Sequence, residues 1–116
     1  MPFFKWEELE SGVITPKYSP VRGPIVQGER ILMGYFTSLA GGKAELHAHP
    51  NEQIASVVKG LARIRIEKEE KVVGPGDVIL IPANAEHMME TLEDFVSIAC
   101  KDVVRNWSLK EARWEK

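Results

Sequence analysis

From Leu61 to Val73 the chain reads LARIRIEKEEKVV, and Ala62, Ile64 and Ile66 alternate with Arg63, Arg65 and Glu67. A period of two belongs to a strand with one dry face and one wet face. Short extended runs of similar length recur along the chain: IVQG, ERILMGYFTSL, AELHAH, QIASVVKG, VILIP, HMMETL and FVSIACKDVV. The clusters AGGK, GPGD and ANAE punctuate them, at the spacing of about 8–12 residues that marks an all-β sandwich or barrel. No long helical pattern separates the runs, which excludes a parallel α/β fold. The charged residues Lys68–Lys71 are expected to turn the clearest strand back as a hairpin.

The two ends read differently. Residues 3–24 form an entry arm, in which WEELESGV can make a helical turn and Pro16, Pro20 and Pro24 then oppose regular structure. At the other end, SLKEARWEK starts with Ser108 and carries Glu111 three positions on, the capping box of a short helix. The expected division of the 116 residues is one domain, with an arm over 1–24, a barrel over 25–105 and a helix over 106–116. The net charge is −2 with no basic stripe, so a nucleic acid is not an expected partner. The single cysteine, Cys100, forbids an internal disulfide and reads as a small buried hydrophobe. The N-terminus lacks a basic start followed by an apolar stretch, and no apolar run approaches the ~20 residues of a membrane span. The expectation is a cytoplasmic protein with no membrane partner.

Two of the three histidines, His47 and His49, stand two positions apart in AELHAH. On a strand they share a face, roughly 6.5 Å apart along it, within reach of one ion. Pro50 and Asn51 turn the chain into the next strand, which begins near Gln53, and His87 opens a later strand. Imidazole suits nickel, iron, manganese, copper and zinc, and an amide oxygen adds a neutral donor. The HxH pair alone also fits two ordinary surface histidines in a turn.

A larger pattern surrounds it. Gly41 is followed by five residues, His47-Ala48-His49, three residues, Gln53, six residues and Gly60. Then Gly76 is followed by five residues, Pro82-Ala83-Asn84, two residues, His87, three residues and Thr91. These resemble the two motifs of the cupin family, with Gln53 in place of Glu, Asn84 in place of Gly and Thr91 in place of Asn. Asn tolerates positive φ better than other non-glycine residues, so the turn at Asn84 survives. The resemblance covers residues 41–91 and implies a small jelly-roll barrel, a double-stranded β-helix, with a divalent transition metal in one mouth. The implied ligands are His47, His49, Gln53 and His87. Glu52 competes with Gln53 on registration, but 47, 49 and 53 share parity. Cupins are commonly dimers, so a homodimer is expected, with residues 3–30 as an exchanged arm or strand.

More narrowly, HAHPNEQ resembles the HxHPxEQ variant found in pectin-degradation cupins of the KdgF type. Those open or linearise unsaturated uronates at a three-His, one-Gln metal site, and their late strand carries an Asp and an Arg. The Arg position falls here on Arg105, which matches, and the Asp position on Ala99, which does not. The sequence offers Glu45 as a base by parity with the histidines, Tyr35 as a hydrogen-bond donor, and Arg105 as a partner for a substrate carboxylate. Met33, Met88, Met89 and Phe95 suggest an apolar cavity wall. The leading expectation is therefore a metal-dependent enzyme opening or isomerising a small sugar acid. A cupin dioxygenase using iron, manganese, nickel or copper is the alternative, and a non-enzymatic metal or small-ligand binding module the third.

Overall fold

The computed structural model describes residues 2–10, 12–13 and 21–103. A 3-10 turn, Trp6–Glu8, precedes eleven strands: β1 (Gly12–Val13), β2 (Arg22–Gly23), β3 (Ile25–Gln27), β4 (Ile31–Ser38), β5 (Lys43–His47), β6 (Gln53–Lys59), β7 (Ala62–Ile66), β8 (Glu69–Val73), β9 (Val78–Ile81), β10 (His87–Thr91) and β11 (Phe95–Asp102). They form two antiparallel sheets, one ordered β1-β2-β4-β11-β6-β9 with β3 also on β4, the other β5-β10-β7-β8. This is the all-β jelly roll expected. Among the described residues no helix is long and apolar enough to cross a membrane.

The period of two decides which side chains meet between the sheets. On β11, Phe95, Ser97, Ala99 and Lys101 are buried and alternate with half-buried Val96, Ile98, Cys100 and Asp102. Cys100 is thus half-buried on the outer side rather than in the core. On β4, Leu32, Gly34, Phe36 and Ser38 are the buried set. The main core joins Val57, Ala62, Val73, Ile79, Ile81, Ala85 and Phe95, and a second cluster joins Phe36, Ala55 and Ala99. Thr91, in place of the motif's Asn, is buried and shares a 2.8 Å hydrogen bond with Ser38 of the other sheet.

Two local expectations are corrected. The hairpin turn is tighter than Lys68–Lys71: it consists of Glu67 and Lys68, and Glu69–Val73 is already strand. Glu67 accepts a positive φ of 52° to make it. The entry arm is not wholly irregular, since β1 pairs with β2 and β2 with β4. Arg105 and the helix expected over 106–116 lie outside the described residues.

Asn84 takes φ 65°, as its place in the motif requires. Gly60, at φ 84°, is bound more strictly, because a Cβ there would sit 2.1 Å from the backbone oxygen of Asp94. Gly60→Ala combines a left-handed alanine with a backbone collision, and should cost about 3 kcal/mol. A urea midpoint within error of the wild type would refute that.

Candidate metal centre

The site is built from two cross-strand pairs and one turn. His87 of β10 pairs in register with His47 of β5. In the facing sheet, Lys101 of β11 pairs in register with Gln53 of β6. His49 sits in the turn between β5 and β6, and its carbonyl accepts the Asn84 N–H at 2.8 Å. The second motif's turn therefore clasps the first motif's histidine.

The three imidazoles form a cluster whose ligand atoms all lie within 4.8 Å of one another. Ring centroids are 4.3 Å apart for His47 and His87, and 4.8 Å for His49 and His87. Each Nδ1 meets a backbone carbonyl: Glu45 for His47 at 2.6 Å, Asn51 for His49 at 3.0 Å, and Ala85 for His87 at 2.9 Å. A carbonyl can only accept, so Nδ1 carries the hydrogen and the lone pair resides on Nε2. This is the outer support that metal-binding histidines need. Burial, then the charge of Lys101 and the neighbouring His87, push His49 down to about 4. Burial also lowers His87, against the hydrogen bond to Ala85 that raises it. Both shifts favour the neutral imidazole, the form that binds a metal.

Gln53 is half-buried and lines the same cavity as the three histidines. Glu52 is exposed, and its N–H donates to the Asp102 carboxylate at 2.6 Å. The neighbouring Asn51 is fully buried and donates to the Asp102 carbonyl at 2.8 Å. These bonds hold the turn so that Gln53, not Glu52, accompanies the histidines. The donor set of three supported imidazoles and one amide fits a divalent transition ion.

Glu45 and Tyr35 are not brought into the cavity. The pairing His87↔His47 is followed by Met89↔Ala44, so β5 carries one residue more than β10 across that stretch. The bulge resets parity: Ala44 is buried and lines the cavity, whereas Glu45 is exposed. Tyr35 lies on the outer side of β4, its ring centroid 6.0 Å from that of Trp6. Met88, Met89 and Phe95 do line the cavity, and Met33 lies outside it beside Phe4 and Trp6.

The residue that sequence reasoning missed is Lys101. It lines the cavity with the histidines and is only 8% exposed. Burial pushes its ammonium down to about 8. Parity groups Lys101 with Ala99, two positions earlier, but that this face is the inward one follows only from the pairing of β11 with β4 and β6.

The family model describing the cupin domain, Cupin_2, matches residues 34–98. The chain belongs to the cupin family. Three solved structures illustrate how far the cupin fold carries. An RmlC-like cupin from Shewanella frigidimarina NCIMB 400 is 19% identical, with a TM-score of 0.79 over 90% of this chain and 93% of its own. KdgF from Halomonas sp. is 24% identical, with a TM-score of 0.77 over 91% and 96%. A predicted oxalate decarboxylase from Thermotoga maritima is 15% identical, with a TM-score of 0.73 over 88% and 99%. At these identities the likeness shows the fold of this cupin. A comparison with curated proteins found no match.

Proposed function

We propose that this cupin is a metal-dependent enzyme acting on a small organic acid, with ring opening or isomerisation of an unsaturated uronate as its reaction. The observation that carries this reading is the three-histidine cluster, with every Nδ1 committed to a carbonyl, opening together with Gln53 into a cavity. A divalent ion held by His47, His49, His87 and Gln53 would supply Lewis-acid polarisation of a substrate oxygen. The residues themselves contribute orientation and exclusion of water: Phe36, Ile64, Ile81 and Met89 wall the cavity. Its volume of about 120 Å³ is below the roughly 300–1,000 Å³ of drug-sized ligand pockets. That suits one sugar-acid unit rather than an oligomer. The HxHPxEQ resemblance and the likeness to KdgF support the choice of uronate. A homodimer belongs to the same proposal, supported by exposed Ile54, Val78 and Leu80 on the outer face of β6 and β9.

The apolar wall supports a second reading, a dioxygenase for an apolar substrate. Anaerobic incubation of the metal-loaded protein with an unsaturated uronate separates the two. The first reading expects the ultraviolet absorbance of the conjugated double bond to disappear without oxygen. Unchanged substrate with nickel, manganese, iron, zinc and copper in turn would exclude it. Substrate-dependent oxygen uptake would establish the second, and no turnover at all would leave a binding module.

A further inference from the structure

We propose that Phe36 determines the size of the molecule the cavity admits, and that Gly34 determines where Phe36 sits. The ring, folded over the glycine, forms the wall that limits how far a bound molecule can extend. This deepens the preceding reading and rests on it for the identity of the cavity as a substrate site.

Strand register lays the inward side chains of the larger sheet in rows. Leu32, Lys101, Gln53 and Ile81 stand side by side on β4, β11, β6 and β9. Gly34, Ala99, Ala55 and Ile79 form the next row. Phe36, Ser97 and Val57 form the one after. All of the middle row except Ile79 is glycine or alanine, so the sheet has a trough there. The Phe36 ring occupies it. A Cβ placed on Gly34 would lie 2.0 Å from Cζ of that ring, 2.4 Å from Cε2 and 2.7 Å from Cε1. The ring therefore reaches along its own strand over the small row, towards the row that holds Gln53. Phe36, Ala55 and Ala99 form one buried cluster, and Phe36, Ala55 and Gln53 line the cavity together with the three histidines.

Gly34 matters here for its missing side chain rather than for its backbone. It lies within the extended β4, a conformation that alanine shares, so the obstacle to a methyl group is the Phe36 ring. Interiors are close-packed, and a displaced ring must go where space is open. Val21 and Ile25 also pack on this cluster, so the open space is the cavity, whose volume is about 120 Å³. A ring pushed into it shortens the room left for a bound molecule. A shorter side chain at position 36 acts in the opposite sense, because leucine leaves the trough over Gly34 and Ala99 partly empty. Discrimination at such a wall is steep: one methylene in an apolar pocket changes affinity by about 10- to 200-fold.

The test pairs a short and a long probe of one chemistry, lactate and 2-hydroxyhexanoate. Each is titrated calorimetrically into nickel-loaded wild type, Gly34→Ala and Phe36→Leu, with nickel content measured on every sample. Gly34→Ala should weaken 2-hydroxyhexanoate relative to lactate by about 10-fold, and Phe36→Leu should strengthen it by about 10-fold. The ratio between probes is the informative readout, because a general loosening of the fold shifts both affinities together. If Gly34→Ala fails to fold, Phe36→Leu carries the test alone. A ratio that keeps its wild-type value in a folded variant, or moves the other way, overturns the proposal, as does wild type that binds neither probe. A crystal structure of Gly34→Ala adds a readout that needs no ligand: the ring should be found displaced into the cavity, and a ring displaced elsewhere overturns the proposal too. The two readings fail separately. Turnover of an unsaturated uronate with unchanged ratios defeats the size limit alone. The expected ratios with no turnover under any metal defeat the enzyme and leave the size limit standing.

Discussion

Nickel or manganese at about a thousand times its dissociation constant should raise the melting temperature by about 15 °C, and His87→Ala should abolish the rise. Binding to the folded state alone at that excess stabilises by about 4 kcal/mol. A domain of this size gains about 4 °C for each kcal/mol. The effect depends on His87 because it is the cross-strand partner of His47 and contacts both other rings. Alanine leaves the Ala85 carbonyl without its imidazole donor, so the metal-free variant should itself melt lower. The relevant quantity is therefore the difference between loaded and stripped samples of the same protein. With His49 pushed down to about 4, proton competition at that ligand begins only in acid solution. An equal rise in His87→Ala, or no metal and no rise in wild type, would remove the metal centre from the description.

Lys101→Met should stabilise the metal-free protein at pH 7 by about 3 kcal/mol. The Lys101 ammonium is pushed from 10.5 to about 8 by burial. That gap, at about 1.4 kcal/mol per pH unit, is the cost of holding the charge in the folded chain. The sign follows from where the proton sits. Below about 8 the lysine is charged in both folded and unfolded states, so the whole cost is present. As pH rises from about 8 towards 10.5 the folded state releases its proton first, and the cost fades. Methionine matches the length of the stem and joins the apolar wall of Met89 and Phe95. Urea unfolding at pH 7 and again near pH 10 should show the advantage of the variant large at the first and small at the second. A variant less stable than wild type at pH 7 would mean that Lys101 is held by favourable partners.

The parts of this molecule that depend on spacing were legible from residues alone. Alternation at Ala62, Ile64 and Ile66 identifies β7 because side chains of a strand must alternate. The run from Gly41 to Gly60 places His47, His49 and Gln53 at one mouth, and the exposed Glu52 agrees with the parity argument. Asn84 adopts the positive φ that its position demands. Each of these is a local constraint, set by backbone sterics within a few residues.

Spacing leaves open whatever depends on a neighbour distant in sequence. Glu45 shares parity with His47, yet the bulge between Ala44 and His47 exists only because β10 pairs there with a different count. Tyr35, expected as an inward donor, lies on the outer side of β4, where β4 pairs with β11 and Trp6 packs near its ring. Lys101 reads as an ordinary charged residue until β11 is seen with β4 on one side and β6 on the other. The sequence by itself determined the main barrel strands and the spacing by which His47, His49, Gln53 and His87 come to line one cavity. Only the tertiary structure decided that a buried ammonium faces them and that the acids do not. Register and bulges arise between strands, so no single strand carries the information.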